Sequence, residues 1–168
     1  MKILVDTTYF LPAISVEIEK LSRTILQALR ADKNLDLFGC SITLFELAAK
    51  GAKLVKAGQL THEDISIGLD AIRYDERIEL LHWEDNPIIM ELATEIRHVH
   101  SDFIDCLVLA TAVCYTNTLI TWDEVLLKKV QSNEWIKETI LAKNEDFSFW
   151  LKDLTSKPVS IQQLEPSS

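Results

Sequence analysis

The stretch Ile3-Leu4-Val5-Asp6-Thr7-Thr8 decides how this chain folds. Its three apolar residues run without alternation until an acid stops them. A strand covered on both faces needs such an unbroken run, whereas a half-exposed strand alternates. The run therefore predicts a strand buried in a parallel sheet. Asp6 stands at its carboxyl end, the edge at which open α/β sheets bind their ligands.

Three more acids repeat this placement. Glu46 comes about one helical turn after an apolar strand read over residues 35–42. Asp123 follows Thr118-Leu119-Ile120-Thr121, read as the fourth strand. Asp105 opens the small, apolar helix Cys106-Leu107-Val108-Leu109-Ala110-Thr111-Ala112, which runs back along the sheet. Taken singly, each acid has an ordinary role. Asp6 and Asp123 suit helix N-caps, Glu46 suits an exposed helix face, and Asp102 and Asp105 compete to cap one helix. Taken together they share one end of one sheet, which no single capping role explains. Two like charges about 5 Å apart repel by roughly 3 kcal/mol at an effective dielectric near 20. Four carboxylates so placed raise one another's pKa values or recruit a hard divalent cation such as Mg²⁺ or Mn²⁺.

Between the acids the periodicity switches repeatedly, as in an α/β protein. Ile14, Ile18, Leu21, Ile25 and Leu29 recur at helical steps, with Glu17, Glu19, Lys20, Arg23 and Arg30 elsewhere and Pro12 at the entrance. Residues 43–56 predict a second helix, with Gly51 a weak point. Thr61 has N-cap character for a helix through Ile65, Leu69 and Ile72. Residues 78–81 predict the third strand. Asn86-Pro87 starts a helix through Ile96 and Val99, and a short helix runs from Asp123 through Val130. Long connections between strands imply crossovers and hence a parallel sheet. The expected architecture is a three-layer α/β/α sandwich around a central parallel sheet of four to five strands. Residues 1–142 form the main domain. Residues 143–168 form a helical extension, on the spacing of Phe147, Trp150, Leu151 and Leu154, and a flexible tail at Glu165-Pro166-Ser167-Ser168.

At 168 residues, with 48% apolar and 26% charged side chains, the chain suits one soluble domain with a substantial core. The opening apolar run is too short for a signal peptide, and no stretch is long enough to span a bilayer. The expected location is cytoplasmic. Cys40, Cys106 and Cys114 are an odd number in apolar surroundings with no CxxC pair, and read as buried free thiols. The net charge of −9 argues against simple electrostatic binding of nucleic acid, unless bound metal or a local basic patch offsets it. Lys50, Lys53, Lys56, Arg97, Lys128 and Lys129 are candidate phosphate contacts or solvated helix faces. His98 and His100 flank Val99 and read as surface or RNA-contact residues ahead of metal ligands. Trp122 suits base stacking or rim packing equally.

With these residues in place, the chain resembles the PIN-domain family, and within it the toxin ribonucleases of VapC type. Val5-Asp6-Thr7-Thr8 is similar to the family's first strand, which ends in Asp followed by Ser or Thr. Ser41-Ile42-Thr43-Leu44-Phe45-Glu46-Leu47 is similar to the segment that carries its Glu. Residues 105–112 resemble the helix Asp-Ala-Leu-Ile-Ala-Ala-Thr-Ala, and Leu119-Ile120-Thr121-Trp122-Asp123 fits Leu-Val-Thr-x-Asp. The likeness runs to about Val130. It implies a Mg²⁺- or Mn²⁺-dependent endoribonuclease, the toxin of a toxin–antitoxin pair. Asp6, Glu46, Asp105 and Asp123 would hold the metal and its water. Thr121, and Thr7 beside it, would support the site. Asp102 would be a cap or an outer acid. The resemblance also implies a homodimer, an RNA substrate, and a small antitoxin seated in the groove. The alternative is a PIN-fold binding or scaffold module without robust nuclease activity. Phosphatases with Asp-x-Asp need an acid where Thr8 stands, and the paired acids and late Lys of receiver domains are not evident.

Overall fold

Strand β1 (Lys2–Val5) lies between two parallel neighbours, β2 (Asp36–Cys40) and β4 (Thr118–Thr121), in the computed structural model, which describes residues 1–18, 21, 24–151 and 157–163. β3 (Ile78–Leu81) extends the sheet beyond β2, and β5 (Ser148–Leu151) extends it beyond β4, both in parallel. A two-residue strand, β6 (Val159–Ser160), runs antiparallel along β5. The order is β3-β2-β1-β4-β5-β6. Five parallel strands are thus present, as expected, and the sixth runs against them.

Successive side chains of a strand point to opposite faces, and β1 shows this directly. Leu4 packs with Leu119 and Phe149 on one face, while Ile3 and Val5 pack with Leu37, Ile120 and Trp150 on the other. The first face is covered by α4 (Pro87–Ile96), α5 (Phe103–Tyr115), α6 (Glu124–Gln131) and α7 (Glu134–Lys143). The second is covered by a 3-10 helix (Thr7–Ile14), α1 (Thr24–Ala31), α2 (Ile42–Lys56) and α3 (His62–Arg73). Apolar burial on both faces explains why β1 lacks alternation.

Three expectations about local structure change. The first helix does not run from Ile14 to Leu29. The chain instead makes the 3-10 helix with Pro12 inside it, and Ser15 turns left-handed at φ 63° before α1 begins at Thr24. Ile14 and Leu21 still reach the core, but from separate segments, so burial alone mimicked a helical stripe. Glu19, Lys20 and Arg23 lie outside the described residues. The helix expected around Phe147 is strand β5, which satisfies the open backbone edge of β4 through a parallel ladder. Leu154 and residues 164–168 lie outside the described residues. Finally, α7 is an added element, its N-terminus capped by the Asn133 side chain, which accepts from the Ile136 amide at 3.0 Å.

Cys40 and Cys106 are buried and Cys114 is half-buried, all as free thiols. Burial pushes each thiol up, Cys106 to about 12, which makes them inert at neutral pH. No helix among the described residues is long and apolar enough to cross a membrane.

Gly68 lets α3 pack closely on the segment that follows Asp6. A Cβ there would press on the Ala13 carbonyl and lie 2.7 Å from Ile14 Cγ2. Gly68→Ala should therefore destabilise the protein by about 1–3 kcal/mol, the usual cost of overpacking, read as a lower urea midpoint at unchanged slope.

Candidate metal centre

Parallel register sets the position of the first acid. Val5 pairs with Gly39 on one side and Ile120 on the other, and the Asp6 amide continues the ladder to the Ile120 carbonyl at 3.0 Å. Asp6 therefore leaves the sheet at the same level as the ends of β2 and β4. It occupies the N-cap position of the 3-10 helix, yet its side chain makes no capping bond. Its Oδ2 instead accepts from the Thr121 hydroxyl at 2.8 Å, in a buried contact between the ends of β1 and β4.

Glu46 lies in the second turn of α2, where its Oε1 meets Lys50 Nζ at 2.6 Å. Asp105 sits in the first turn of α5. Asp102, the competing acid, caps that helix by accepting from the Ile104 amide at 2.9 Å, which frees Asp105 from the capping role. Asp105 Oδ2 meets His100 Nε2 at 2.9 Å. Asp123 does cap α6: its Oδ1 accepts from the Val125 and Leu126 amides at 2.7 and 3.0 Å. Its own amide donates to Thr121 Oγ1 at 3.0 Å, so Thr121 links Asp6 to Asp123. Asp6 Oδ2, Glu46 Oε1, Asp105 Oδ2 and Asp123 Oδ1 are thus each engaged by the protein.

The electrostatics tie the acids together. Burial raises the Asp6 carboxyl from its ordinary 3.8 to about 7, opposed by the Thr121 hydrogen bond and reinforced by Asp105 and Glu46. Burial also pushes Asp105 up, with the His100 hydrogen bond opposing and Asp102 and Asp123 adding repulsion. Ligand atoms of His100, Asp105 and Asp123 lie within 4.8 Å of one another. The carboxylate donors suit a hard divalent cation of the Mg²⁺ or Mn²⁺ kind. Such a cation would offset the burial and the repulsion that raise Asp6. The residues present therefore fit the metal.

Two structural supports were not legible in the sequence. His100 is buried, not a surface residue, and the only hint of this was its place five residues before Asp105. Thr43 is also buried, and its hydroxyl meets that of Thr7 at 3.0 Å, joining the segment after Asp6 to the first turn of α2. Other candidates fall in ordinary places. Lys53 and Lys56 are exposed. Lys128 pairs loosely with Glu124 at 3.9 Å, and Arg97 donates to the His100 carbonyl at 3.1 Å. Trp122 packs edge-on against Tyr9, with ring centres 6.4 Å apart.

The raised Asp6 carboxyl has a sign that can be tested without metal. The folded state holds this proton up to about pH 7, while the unfolded chain loses it near 3.8. Stability from this group is therefore fullest near pH 4, falls as pH rises, and is lost above about 7, over a range worth at most about 4 kcal/mol. In EDTA, Asp6→Asn should be more stable than the wild type at pH 8. The gap in urea midpoint should shrink as pH falls toward 4.

The model of the PIN domain family matches residues 3–132. No curated protein matches the chain. Among solved structures, it is similar to a chain in the crystal structure of VapBC2 from Rickettsia felis bound to a DNA fragment from their promoter. The TM-score is 0.55 at 20% identity, covering 91% of this chain and 100% of that one, a likeness of fold.

Proposed function

The chain belongs to the PIN domain family, and from that premise we propose that it is a Mg²⁺- or Mn²⁺-dependent endoribonuclease that hydrolyses RNA phosphodiester bonds. The observation that carries the reading is the buried Thr121 bridge, whose hydroxyl donates to Asp6 and accepts from the Asp123 amide, beside the group of His100, Asp105 and Asp123. Asp6 and Glu46 fall outside that group among the described residues, but burial and then the charges of Asp105 and Glu46 raise Asp6. These four acids would hold the cation. Bound there, the cation would activate a water and offset charge on the phosphodiester. The chain's own contribution is placement. Thr121 holds Asp6 against Asp123, Asp102 keeps Asp105 out of the cap, and the Thr7–Thr43 contact joins the elements bearing Asp6 and Glu46. The buried floor around Asp6 limits water and strengthens each charge interaction.

One solved neighbour comes from a VapBC2 structure bound to a promoter DNA fragment. The proposal extends to a toxin role, with a small antitoxin as partner and a homodimer as the working form; the likeness of fold to a VapBC2 chain agrees with the toxin role. Exposed Phe45, adjacent to Glu46, and exposed Ile67 and Tyr74 on and just after α3 are apolar surface of the kind protein partners cover. The second reading is a PIN-fold binding or scaffold module without robust nuclease activity. The net charge of −9 and the Lys50–Glu46 ion pair, which neutralises one ligand internally, favour it.

Purified protein should cut RNA in Mn²⁺ or Mg²⁺ and stop in EDTA. Asp6→Asn and Asp123→Asn should each lower the rate by more than about 100-fold, beyond the usual cost of losing an outer-shell partner. Asn still caps a helix, so the position-123 variant should remain folded by circular dichroism. Cleavage that survives both substitutions would refute the nuclease reading. Mn²⁺ binding by calorimetry with no cleavage of any RNA would favour the binding module.

A further inference from the structure

His62, His82 and His98 are exposed, but His100 is only 5% exposed. Its backbone is fastened from several sides. The amide donates to the Ile96 carbonyl at 3.0 Å, and the carbonyl accepts from Arg97 at 3.1 Å. Cys106 Sγ lies 3.0 Å from the Asp102 carbonyl and 3.7 Å from that of His100, closing the turn between α4 and α5. The ring is therefore held where it can act on a neighbour, and Nε2 meets Asp105 Oδ2 at 2.9 Å.

The other ring nitrogen decides what kind of contact this is. Nδ1 is buried and has no hydrogen-bond partner among the described residues. An N–H left unpaired inside a protein is rarer and costlier than an unused acceptor. The ring proton therefore belongs on Nε2, donated to Asp105, with the Nδ1 lone pair turned into the protein. Direct ligation through Nε2 would reverse this arrangement. It would place the proton on Nδ1, where a ligating histidine normally needs an acceptor, and none is present there among the described residues. Proximity to Asp105 and Asp123 alone does not make His100 a ligand.

We infer that His100 is a positioning residue of the metal centre, whose Nε2–H donates to Asp105 and fixes its carboxylate before a cation binds. This rests on the reading of Asp105 as a ligand. It adds to the site, beside Thr121, a further side chain that acts through another. The plain rival is that the ring merely fills space between α4 and α5.

Calorimetric titration of the metal-free full chain with Mn²⁺ separates the two. His100→Leu should bind Mn²⁺ about 10–100-fold more weakly, the range for losing an outer-shell partner, while His100→Gln, which keeps an N–H at similar reach, should recover to within about threefold of wild type. Leu binding as tightly as wild type would overturn the inference. So would folded Gln binding as weakly as Leu. Should the Leu variant fail to fold, nitrogen-15 NMR of the wild-type imidazole decides. A proton on Nε2 supports the inference, and a ring protonated on Nδ1 with Nε2 bare overturns it. Electron spin-echo detection of imidazole nitrogen bonded to Mn²⁺ would also overturn it, in favour of direct ligation. A wild type that binds no Mn²⁺ would bring down the nuclease reading and this inference together. Normal wild-type binding with an indifferent Leu variant would bring down the inference alone.

Discussion

Register along β1 is the constraint on which the rest depends. Val5 stands level with Gly39 and Ile120, and the Asp6 amide adds one more rung to the ladder with β4. A slip of one residue would reverse the facing of every β1 side chain. It would move Ile3 and Val5 into the layer now occupied by Leu4, and carry Asp6 away from Thr121. The apolar packing on both faces and the placement of the acid are therefore one requirement. Core residues that never touch the site keep its geometry.

That geometry sets charge against burial. Asp6 is held in a region where its ionised form is disfavoured, next to acids that disfavour it further. Nothing in folding alone calls for such an arrangement, since an apolar residue at that position would suit the core better. The surrounding contacts read as tolerance of this cost. Thr121 supplies a hydrogen bond, Lys50 neutralises the outer acid, and helix amides hold Asp123. Strongly perturbed carboxyls of this kind cluster at functional sites.

Much of this was legible in the sequence, and the misses have physical causes. Strand-end acids can be read from short apolar runs because a doubly covered strand leaves an unbroken signature, as in Ile3-Leu4-Val5. The parallel sheet followed from connection lengths. Asp123 shows a limit: one carboxylate both caps α6 and lies in a group with His100 and Asp105, so the two placements are not alternatives. His100 and Thr43 were invisible as supports because their roles depend on burial and on partners across the fold. The error near Phe147 arose because spacings of three and four occur in a strand when both faces are covered. Ile14 and Leu21 misled in the same way, since burial imitates periodicity when a tight left-handed turn intervenes at Ser15.

β6 gives the sheet a boundary. Only two residues long and reversed in direction, it lies on the outer edge of β5, with buried Ile161 directly after it. It leaves little backbone for another chain to extend. The opposite edge, β3, is also short and presents exposed Glu79, a charge that discourages strand addition. Among the described residues, both margins are thus poor templates for sheet continuation. A partner would then meet side chains on the helical layers, selected by contact geometry rather than backbone pairing.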